Sequence, residues 1–119
     1  MELKKMTING REVEFVNQWR GTRSGFNHET VMFVDGHRWG ENTCHYINRT
    51  WECYTYQTVM CGVVYDLEER RKYELKEQFK QEKGYAKITG KRKEELEAFY
   101  AQDEELKFLE EIYKALRRY

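Results

Sequence analysis

Two short turn sequences constrain the fold of this chain more than any other feature. Asn9-Gly10 separates LKKMTI from REVEFVNQW, and Asp35-Gly36 separates ETVMFV from HRWGEN. Asn-Gly and Asp-Gly are the preferred pairs for type I′ turns because both central residues need a positive φ. The pattern therefore predicts two β-hairpins, joined by a loop at GTRSG (21–25).

A two-residue loop also predicts which residues face each other in the first hairpin. Met6 then lies opposite Val13, which pairs apolar residues on one face of the sheet. Lys5 lies opposite Glu14, which pairs opposite charges on the other face. The register is internally consistent, because a slip by one residue would exchange the two faces.

The second hairpin contains VMFV, a continuous apolar run in place of alternation. Such a run indicates a central strand that is covered on part of both faces. The strand after the turn is predicted to continue through residues 43–47, with Gly40 marking a bulge or kink. The predicted partners are Met32 with Trp39 and Phe33 with Arg38.

After residue 50 the apolar period changes to steps of three and four residues, which is typical of helices. The first series predicts a helix that continues to about Lys83 and ends at Gly84, with Thr50 or Thr55 as its N-cap. Asp103 is a candidate cap within the second series, which leaves one helix or two open. The first series is Tyr56, Val59, Met60, Val63, Val64 and Leu67, and the second is Leu96, Phe99, Tyr100, Leu109, Ile112, Tyr113 and Leu116.

The order of these elements predicts an α+β fold in a single domain, residues 1–119. A four-stranded antiparallel sheet occupies residues 1–50, and two or three helices in residues 51–119 pack on it or project from it. A chain of 119 residues can form one core but not two. Because the helices carry many charges beside narrow apolar stripes, they also suit a partner or a second copy, so a homo-oligomer is possible.

Charge and cysteine content narrow the functional classes. The chain has 21 basic and 21 acidic residues, seven of each in residues 1–65 and the other fourteen of each in residues 66–119. It therefore has neither the cationic excess of a non-specific nucleic-acid binder nor the acidic excess of a DNA mimic. Three cysteines, no apolar leader segment and no run of about 20 apolar residues predict a cytoplasmic protein with reduced thiols and no membrane association.

Metal and nucleophile chemistry find little support in the spacing of reactive residues. Structural zinc sites usually present pairs such as C-x₂-C, and no such pair occurs. His37 and His45 precede a helix, as in ββα-metal nucleases, but that helix has no histidine to complete the site. No signature of a cysteine nucleophile or a P-loop is present. We therefore predict no enzyme, no cofactor and no metal; the zinc candidates considered are Cys44, His45, Cys53 and Cys61.

Binding classes remain. Arginine can bind phosphate and stack on bases, and exposed aromatics can stack single strands, so nucleic-acid contact is one possibility. The glutamates interspersed in the sheet half count against nucleic-acid contact. Trp, Tyr and Arg are also the residues most enriched at the energetic centres of protein interfaces. The basic residues concerned are Arg20, Arg23, Arg38 and Arg49 among the tryptophans, and Lys87, Lys91, Arg92 and Lys93 further on.

One segment carries a resemblance to a known group of proteins. The pattern Y-x-N-R-T-W-E followed by Y-x-Y-Q-x-V-M resembles a motif of small uncharacterised proteins of bacteriophages and mobile elements, over roughly residues 5–66. The resemblance implies a protein that acts against host defence, anti-CRISPR proteins being the best-known class. Such proteins occupy a surface of the target nuclease or its guide-RNA complex. The residues of the motif are Tyr46, Asn48, Arg49, Thr50, Trp51, Glu52, Tyr54, Tyr56, Gln57, Val59 and Met60.

The resulting hypothesis is a phage inhibitor that binds a host defence nuclease in the cytoplasm of the infected bacterium, with a Cas9-type effector as the first candidate. Such effectors expose basic channels, which acidic side chains would match. Contact with guide RNA or an acidic surface would instead use arginines. The alternative function is a nucleic-acid-binding accessory protein of phage replication or regulation. The candidate residues for contact with a basic channel are Glu104, Glu105, Glu110 and Glu111. The candidates for contact with guide RNA or an acidic surface are Arg20, Arg23, Arg38, Trp39 and Arg49.

Overall fold

A computed structural model describes the backbone of residues 2–22, 25–45 and 56–117, and the side chains of residues 2–18, 29–42 and 57–117. Four strands precede three helices, which confirms the predicted α+β class. The strands form one antiparallel sheet in the order β1-β2-β3-β4. The elements are β1 (Glu2–Ile8), β2 (Arg11–Thr22), β3 (Gly25–Val34), β4 (His37–His45), α1 (Tyr56–Lys83), α2 (Lys91–Ala101) and α3 (Glu104–Arg117).

Both predicted hairpin turns are confirmed by their backbone angles. Asn9 and Gly10 have φ values of 51° and 78°, and Asp35 and Gly36 have values of 50° and 81°. A positive φ at both central positions is the requirement of a type I′ turn. The Asp35 carboxylate also accepts a hydrogen bond from the Glu12 backbone N–H at 2.9 Å, which ties the second turn to β2.

The register of the first hairpin is as predicted, and the loop between the hairpins is shorter than predicted. Met6 pairs with Val13 and Lys5 pairs with Glu14. The Lys5 ammonium, however, makes its ion pair diagonally, with Glu12 at 2.7 Å.

The predicted loop at 21–25 is wrong, because strand pairing continues as far as Thr22 with Gly25. Backbone pairing there extends the ladder and makes the sheet a continuous meander.

The predicted pairing of Met32 with Trp39 is wrong. Phe33 does pair with Arg38, but Met32 pairs with Gly40, so Trp39 is the extra residue of a β-bulge. The reason is the approach of α1. A Cβ added to Gly40 would lie 2.8 Å from Leu67 Cδ2, so only glycine lets the strand pass beneath the helix without a shift. The bulge predicted at Gly40 is confirmed.

The first helix ends where the sequence predicts. It runs to Lys83 and is followed by Gly84 at φ 70°, the left-handed conformation that favours glycine after a helix. The candidate N-caps Thr50 and Thr55 lie outside the described residues, as do motif residues 46–55. The predicted apolar face is confirmed at its centre, where the buried residues are Met60, Val63, Val64 and Leu67.

Asp103 divides the second helical stretch into α2 and α3, which resolves the choice between one helix and two. Its Oδ2 accepts a hydrogen bond from the Leu106 backbone N–H at 3.0 Å, and its main-chain oxygen accepts one from Lys107 at 3.1 Å. An acidic N-cap satisfies backbone N–H groups that have no partner within the helix.

A single apolar cluster lies between one face of the sheet and helices α1 and α3. Helix α2 instead packs mainly on α1 and α3, where the rings of Phe79 and Phe99 meet edge to face at 5.5 Å. In the chain segments that the structure describes, no helix is both long and apolar enough to cross a bilayer. The buried cluster consists of Val13, Phe15, Met32, Val34, Met60, Val63, Val64, Leu67, Phe108, Leu109, Ile112 and Leu116.

Candidate partner-binding surface

The fold brings three of the predicted contact residues to one cleft, which we call the β4–α1 cleft. Arg38 and Trp39 reach it from β4, and Glu105 reaches it from the start of α3. The cleft has a volume of about 240 Å³ and is also lined by Leu67, Arg70, Arg71 and Glu74 of α1. The Arg20 side chain and residues Arg23 and Arg49 lie outside the described part of the chain.

Arg38 is already bound by acidic side chains of the sheet. Its Nη2 donates to Glu29 Oε1 at 2.7 Å and lies 3.4 Å from Glu41 Oε2. Glu29 also accepts a hydrogen bond from Gln18 Nε2 at 2.9 Å, and only 6% of its side chain is exposed. The hydrogen bond to Glu29 raises the pKa of Arg38. A phosphate at Arg38 would therefore compete with a nearly buried carboxylate.

Trp39 has a packing role. Its ring meets Phe108 of α3 edge to face at 5.5 Å, and the Arg11 guanidinium lies 5.2 Å from the Trp39 ring and 4.9 Å from the Phe108 ring. Arg11 is held in place by Asp35, with Nε 3.0 Å from Oδ2. The bulge in β4 thus directs Trp39 toward α3, where cation–π and aromatic contacts join the second turn to the helix.

Arg71 is one of the residues of this cleft that were not predicted from the sequence. Its Nη2 lies 2.7 Å from Asp103 Oδ1, and its Nε lies 3.0 Å from Asp103 Oδ2 and 2.9 Å from Glu105 Oε2. The hydrogen bonds that Arg71 donates to Asp103 raise the pKa of Arg71. A signal was present, because Arg71 lies four residues after Leu67 and four before Leu75, which places a charge on the buried side of α1.

The four predicted glutamates of α3 do not share one acidic face. Glu105 turns to Arg71, whereas Glu104 lies 3.3 Å from Lys107 on the exposed side. Glu110 and Glu111 share Lys114, at 3.4 Å and 3.8 Å. Exposed pairs of this kind contribute little to stability, so these carboxylates can exchange their partners for another cation.

Helix α1 carries two large aromatic side chains that are exposed to solvent. Tyr65 is 56% exposed and Tyr73 is 67% exposed, and these are the exposed large hydrophobics of the described residues. They lie eight positions apart, about 12 Å along the helix. The sequence analysis did not single them out, although both fall off the apolar series of α1. We call this side of the helix, with Glu69 between the two rings, the tyrosine face.

The metal and thiol candidates gain no support. Within the described residues, no three His, Cys, Asp or Glu side chains are placed to hold a metal ion. Burial raises the pKa of the half-buried Cys61 thiol, which makes it a weaker nucleophile. Cys53 and the side chains of Cys44 and His45 lie outside the part of the chain that is described.

The chain was compared with protein-family models, curated proteins and solved structures. None of them matches it.

Proposed function

We propose that this protein acts by stoichiometric binding to a protein partner, without catalysis. The observation that carries the proposal is the tyrosine face of α1. Two tyrosines more than half exposed on one helix leave substantial aromatic surface in water, and tyrosine is among the residues most enriched at the energetic centres of protein interfaces. Burying them against a partner would supply hydrophobic free energy, and their hydroxyl groups would keep the free protein soluble.

The proposed class of partner rests on the resemblance of the motif at residues 46–60 to phage and mobile-element proteins. The finer proposal is an inhibitor of a host defence nuclease, with a Cas9-type effector or its guide-RNA complex as the first target. It would act in the cytoplasm of the infected bacterium. The exchangeable carboxylates of α3, Glu104, Glu110 and Glu111, support contact with a basic surface. Binding would block nucleic-acid loading, target recognition or cleavage.

The experiment is complex formation between the purified protein and a purified Cas9-type nuclease, with and without guide RNA. We expect co-elution on size exclusion that survives removal of free nucleic acid, together with loss of cleavage. Tyr65→Ala combined with Tyr73→Ala should weaken the complex at least about tenfold, the effect of losing an interface hot spot. Lys76→Ala with Gln78→Ala, two exposed positions of the same helix, is the matched control.

Two results would contradict these proposals. If nuclease activity is unaffected and no complex forms, the Cas9-type assignment is wrong. If affinity purification of the tagged protein from its natural host yields no protein partner that depends on Tyr65 and Tyr73, the binding function itself is wrong. Light scattering on the isolated protein would show whether the tyrosine face is used by a second copy instead.

A second candidate, nucleic-acid binding, is favoured by one group of cations. Lys87, Lys91 and Lys93 are exposed around the start of α2. Arg92 is engaged, since its guanidinium donates to the Lys87 main-chain oxygen at 3.0 Å and lies 4.0 Å from the Tyr85 ring. Retention on single-stranded DNA or RNA that falls steeply with salt would favour this candidate. Retention that is absent even at low salt would exclude it.

A further inference from the structure

The connection between α1 and α2 is strongly basic. Residues 83–93, KGYAKITGKRK, contain five basic residues and no acidic residue. Residues 94–117, which follow, contain eight acidic residues and three basic ones. The charges of the helical part are therefore segregated, although its basic and acidic residues are equal in number. We call residues 83–93 the basic turn.

The lysines of the basic turn have no carboxylate partners. All four are exposed, and none forms an ion pair with another described residue. Lys107 of α3, by contrast, lies 3.3 Å from Glu104. The basic turn therefore presents cations that an anionic ligand can reach without displacing an existing partner. These lysines are Lys83, Lys87, Lys91 and Lys93.

Some of these cations lie where helix electrostatics disfavours them. Residues 91–93, Lys-Arg-Lys, occupy the first turn of α2, where Glu94 is the acidic residue. The N-terminus of a helix carries partial positive charge, which favours acidic side chains and disfavours basic ones. Gly90 precedes the helix and supplies no side-chain cap. Lys83 suits the last turn of α1, but the cations of α2 conflict with their local setting, and such conflicts are expected at functional sites.

The basic turn is held in place by contacts around its aromatic ring. The Tyr85 ring meets Phe79 edge to face at 5.8 Å, and the Tyr85 hydroxyl donates to Glu95 Oε2 at 3.1 Å. The Arg92 guanidinium lies 4.0 Å from the same ring and donates to the Lys87 main-chain oxygen at 3.0 Å. Lys87 is thus fixed beside the first turn of α2. Because helical side chains tilt toward the N-terminus, the lysines of that turn extend toward the same end of the helix.

The chemistry of the basic turn favours a phosphate backbone over other anionic ligands. Lysine is depleted at protein–protein interfaces, whereas it is a usual group for neutralising nucleic-acid phosphates. An anionic membrane is disfavoured because the exposed large hydrophobics of the described residues, Tyr65 and Tyr73, lie outside the turn. The Tyr85 ring already contacts Phe79 and Arg92, so the turn offers charge and no aromatic platform for a base.

We propose that the basic turn binds the phosphate backbone of a nucleic acid, without reading its sequence, through Lys87, Lys91 and Lys93. The inference goes beyond the proposed binding to a protein, because it adds a second surface and gives nucleic-acid contact a place and a mode. Lys83 lies ten positions after Tyr73 on α1, or about 15 Å along the helix. A partner that contains both protein and nucleic acid can therefore contact the tyrosine face and the basic turn together.

The test measures binding of the isolated full chain to a short labelled DNA duplex by fluorescence anisotropy over a series of salt concentrations. Three phosphate contacts predict that the logarithm of the binding constant falls with the logarithm of salt at a slope of about −3. Two duplexes of unrelated sequence should bind equally, because phosphate contacts carry no sequence information. A single strand and an RNA duplex, measured in the same way, show which form of phosphate backbone is preferred.

A triple variant of the basic turn tests the assigned lysines. It should weaken duplex binding at low salt at least about tenfold, and each single substitution should reduce the magnitude of the salt slope by about 1. Because two of these lysines oppose the charge of the helix N-terminus, the variant should unfold at the same urea concentration as the unaltered protein or at a higher one. A purely structural role would lower that midpoint. The variant combines Lys87→Gln, Lys91→Gln and Lys93→Gln.

A matched control separates the basic turn from the general charge of the protein. It removes the same number of charges from exposed lysines elsewhere on α1 and α3. Its affinity for the duplex and its salt slope should equal those of the unaltered protein. The control combines Lys76→Gln, Lys107→Gln and Lys114→Gln.

Four results would overturn the inference. They are the absence of duplex binding at low salt, equal loss of affinity in the control, a lower urea midpoint in the turn variant, and equal or tighter binding of polyglutamate or of phosphatidylserine vesicles. Failure of this inference is distinguishable from failure of the proposed function. A protein complex that depends on Tyr65 and Tyr73, from a chain that binds no nucleic acid, would overturn the basic turn alone. Duplex binding that is lost in the turn variant and kept in Tyr65→Ala with Tyr73→Ala would support it even if no protein partner is found.

Discussion

Arg71 and Asp103 form a two-point ion pair that joins the middle of α1 to the start of α3. Arg71 Nη2 lies 2.7 Å from Asp103 Oδ1, and Arg71 Nε lies 3.0 Å from Asp103 Oδ2. Asp103 is at the same time the N-cap of α3. Only 12% of the Asp103 side chain is exposed, so one carboxylate both begins a helix and fastens it to its neighbour.

The two roles of Asp103 can be separated by substitution. Asp103→Ala removes the cap and the ion pair and should lower the free energy of unfolding by about 2–3 kcal/mol. Asp103→Ser keeps a capping hydroxyl and should cost less, because only the ion pair is lost. Urea unfolding followed by circular dichroism measures both. Glu104→Ala, one position away and exposed, is the control and should change stability by less than about 0.5 kcal/mol. Equal costs for Ala and Ser would show that the cap contributes nothing.

The same carboxylate should make stability depend on pH. Hydrogen bonds from Arg71 hold the pKa of Asp103 below its ordinary value in the folded protein. Its contribution is therefore fully present above the unfolded-state pKa of about 3.9, and it is lost as the pH falls through the lower folded-state pKa. Urea unfolding at a series of acidic pH values should show a shallower loss in Asp103→Asn than in the unaltered protein. A profile unchanged by Asp103→Asn would contradict this assignment.

Substitutions at Gly40 and Leu67 should have coupled effects on the free energy of unfolding. A Cβ at position 40 would lie 2.8 Å from Leu67 Cδ2, so Gly40→Ala forces the leucine or the strand to shift. We expect a loss of about 1–3 kcal/mol, the usual cost of overpacking. In the double variant with Leu67→Ala, the combined loss should be smaller than the sum of the single losses by about 1 kcal/mol. Gly36→Ser is the comparison, because no side chain approaches Gly36 in its turn. Its loss of stability and that of Leu67→Ala should simply add. Additive losses at positions 40 and 67 would contradict the close approach.

Arg38 is predicted to stabilise the sheet through Glu29. Arg38→Ala leaves the Glu29 carboxylate, which is 6% exposed, without its guanidinium and should destabilise the protein by about 1–3 kcal/mol. Adding Glu29→Gln should recover part of the loss, because the carboxylate charge that Arg38 pairs with is then removed. Chemical denaturation of the single and double variants measures the coupling. Glu41→Gln removes the other, more exposed partner and should have a small effect. A double variant less stable than Arg38→Ala would refute this interpretation.

Turns and helix ends, which depend on neighbouring residues, were predicted correctly from the sequence. Asn9-Gly10 and Asp35-Gly36 adopt the positive φ values that their turn type demands, and Gly84 follows the end of α1 in the same conformation. Asp103 could be named as a cap because the hydrogen bond it makes spans only three residues. Such features depend on short-range sterics and hydrogen bonding, which a few neighbouring residues determine.

The candidate site was predicted less completely, because its contacts cross between elements distant in sequence. Arg38 and Glu105 were predicted as contact residues and do meet at one cleft, but their partners Glu29 and Arg71 were not foreseen. Arg38 and Glu105 are therefore paired within the protein and are not the free surface charges that were expected. Tyr65 and Tyr73 were missed since exposure depends on which side of α1 remains uncovered by the sheet, α2 and α3.

The sequence by itself determined the order of the elements, the two type I′ turns and the helix boundaries at Gly84 and Asp103, because backbone geometry at those positions follows from local chemistry. Only the tertiary structure decided that Met32 pairs with Gly40 and that Trp39 is the extra residue of the bulge, where α1 brings Leu67 down on Gly40. It also decided which charges are paired and which aromatic rings stay in water, because both depend on packing between segments far apart in the chain.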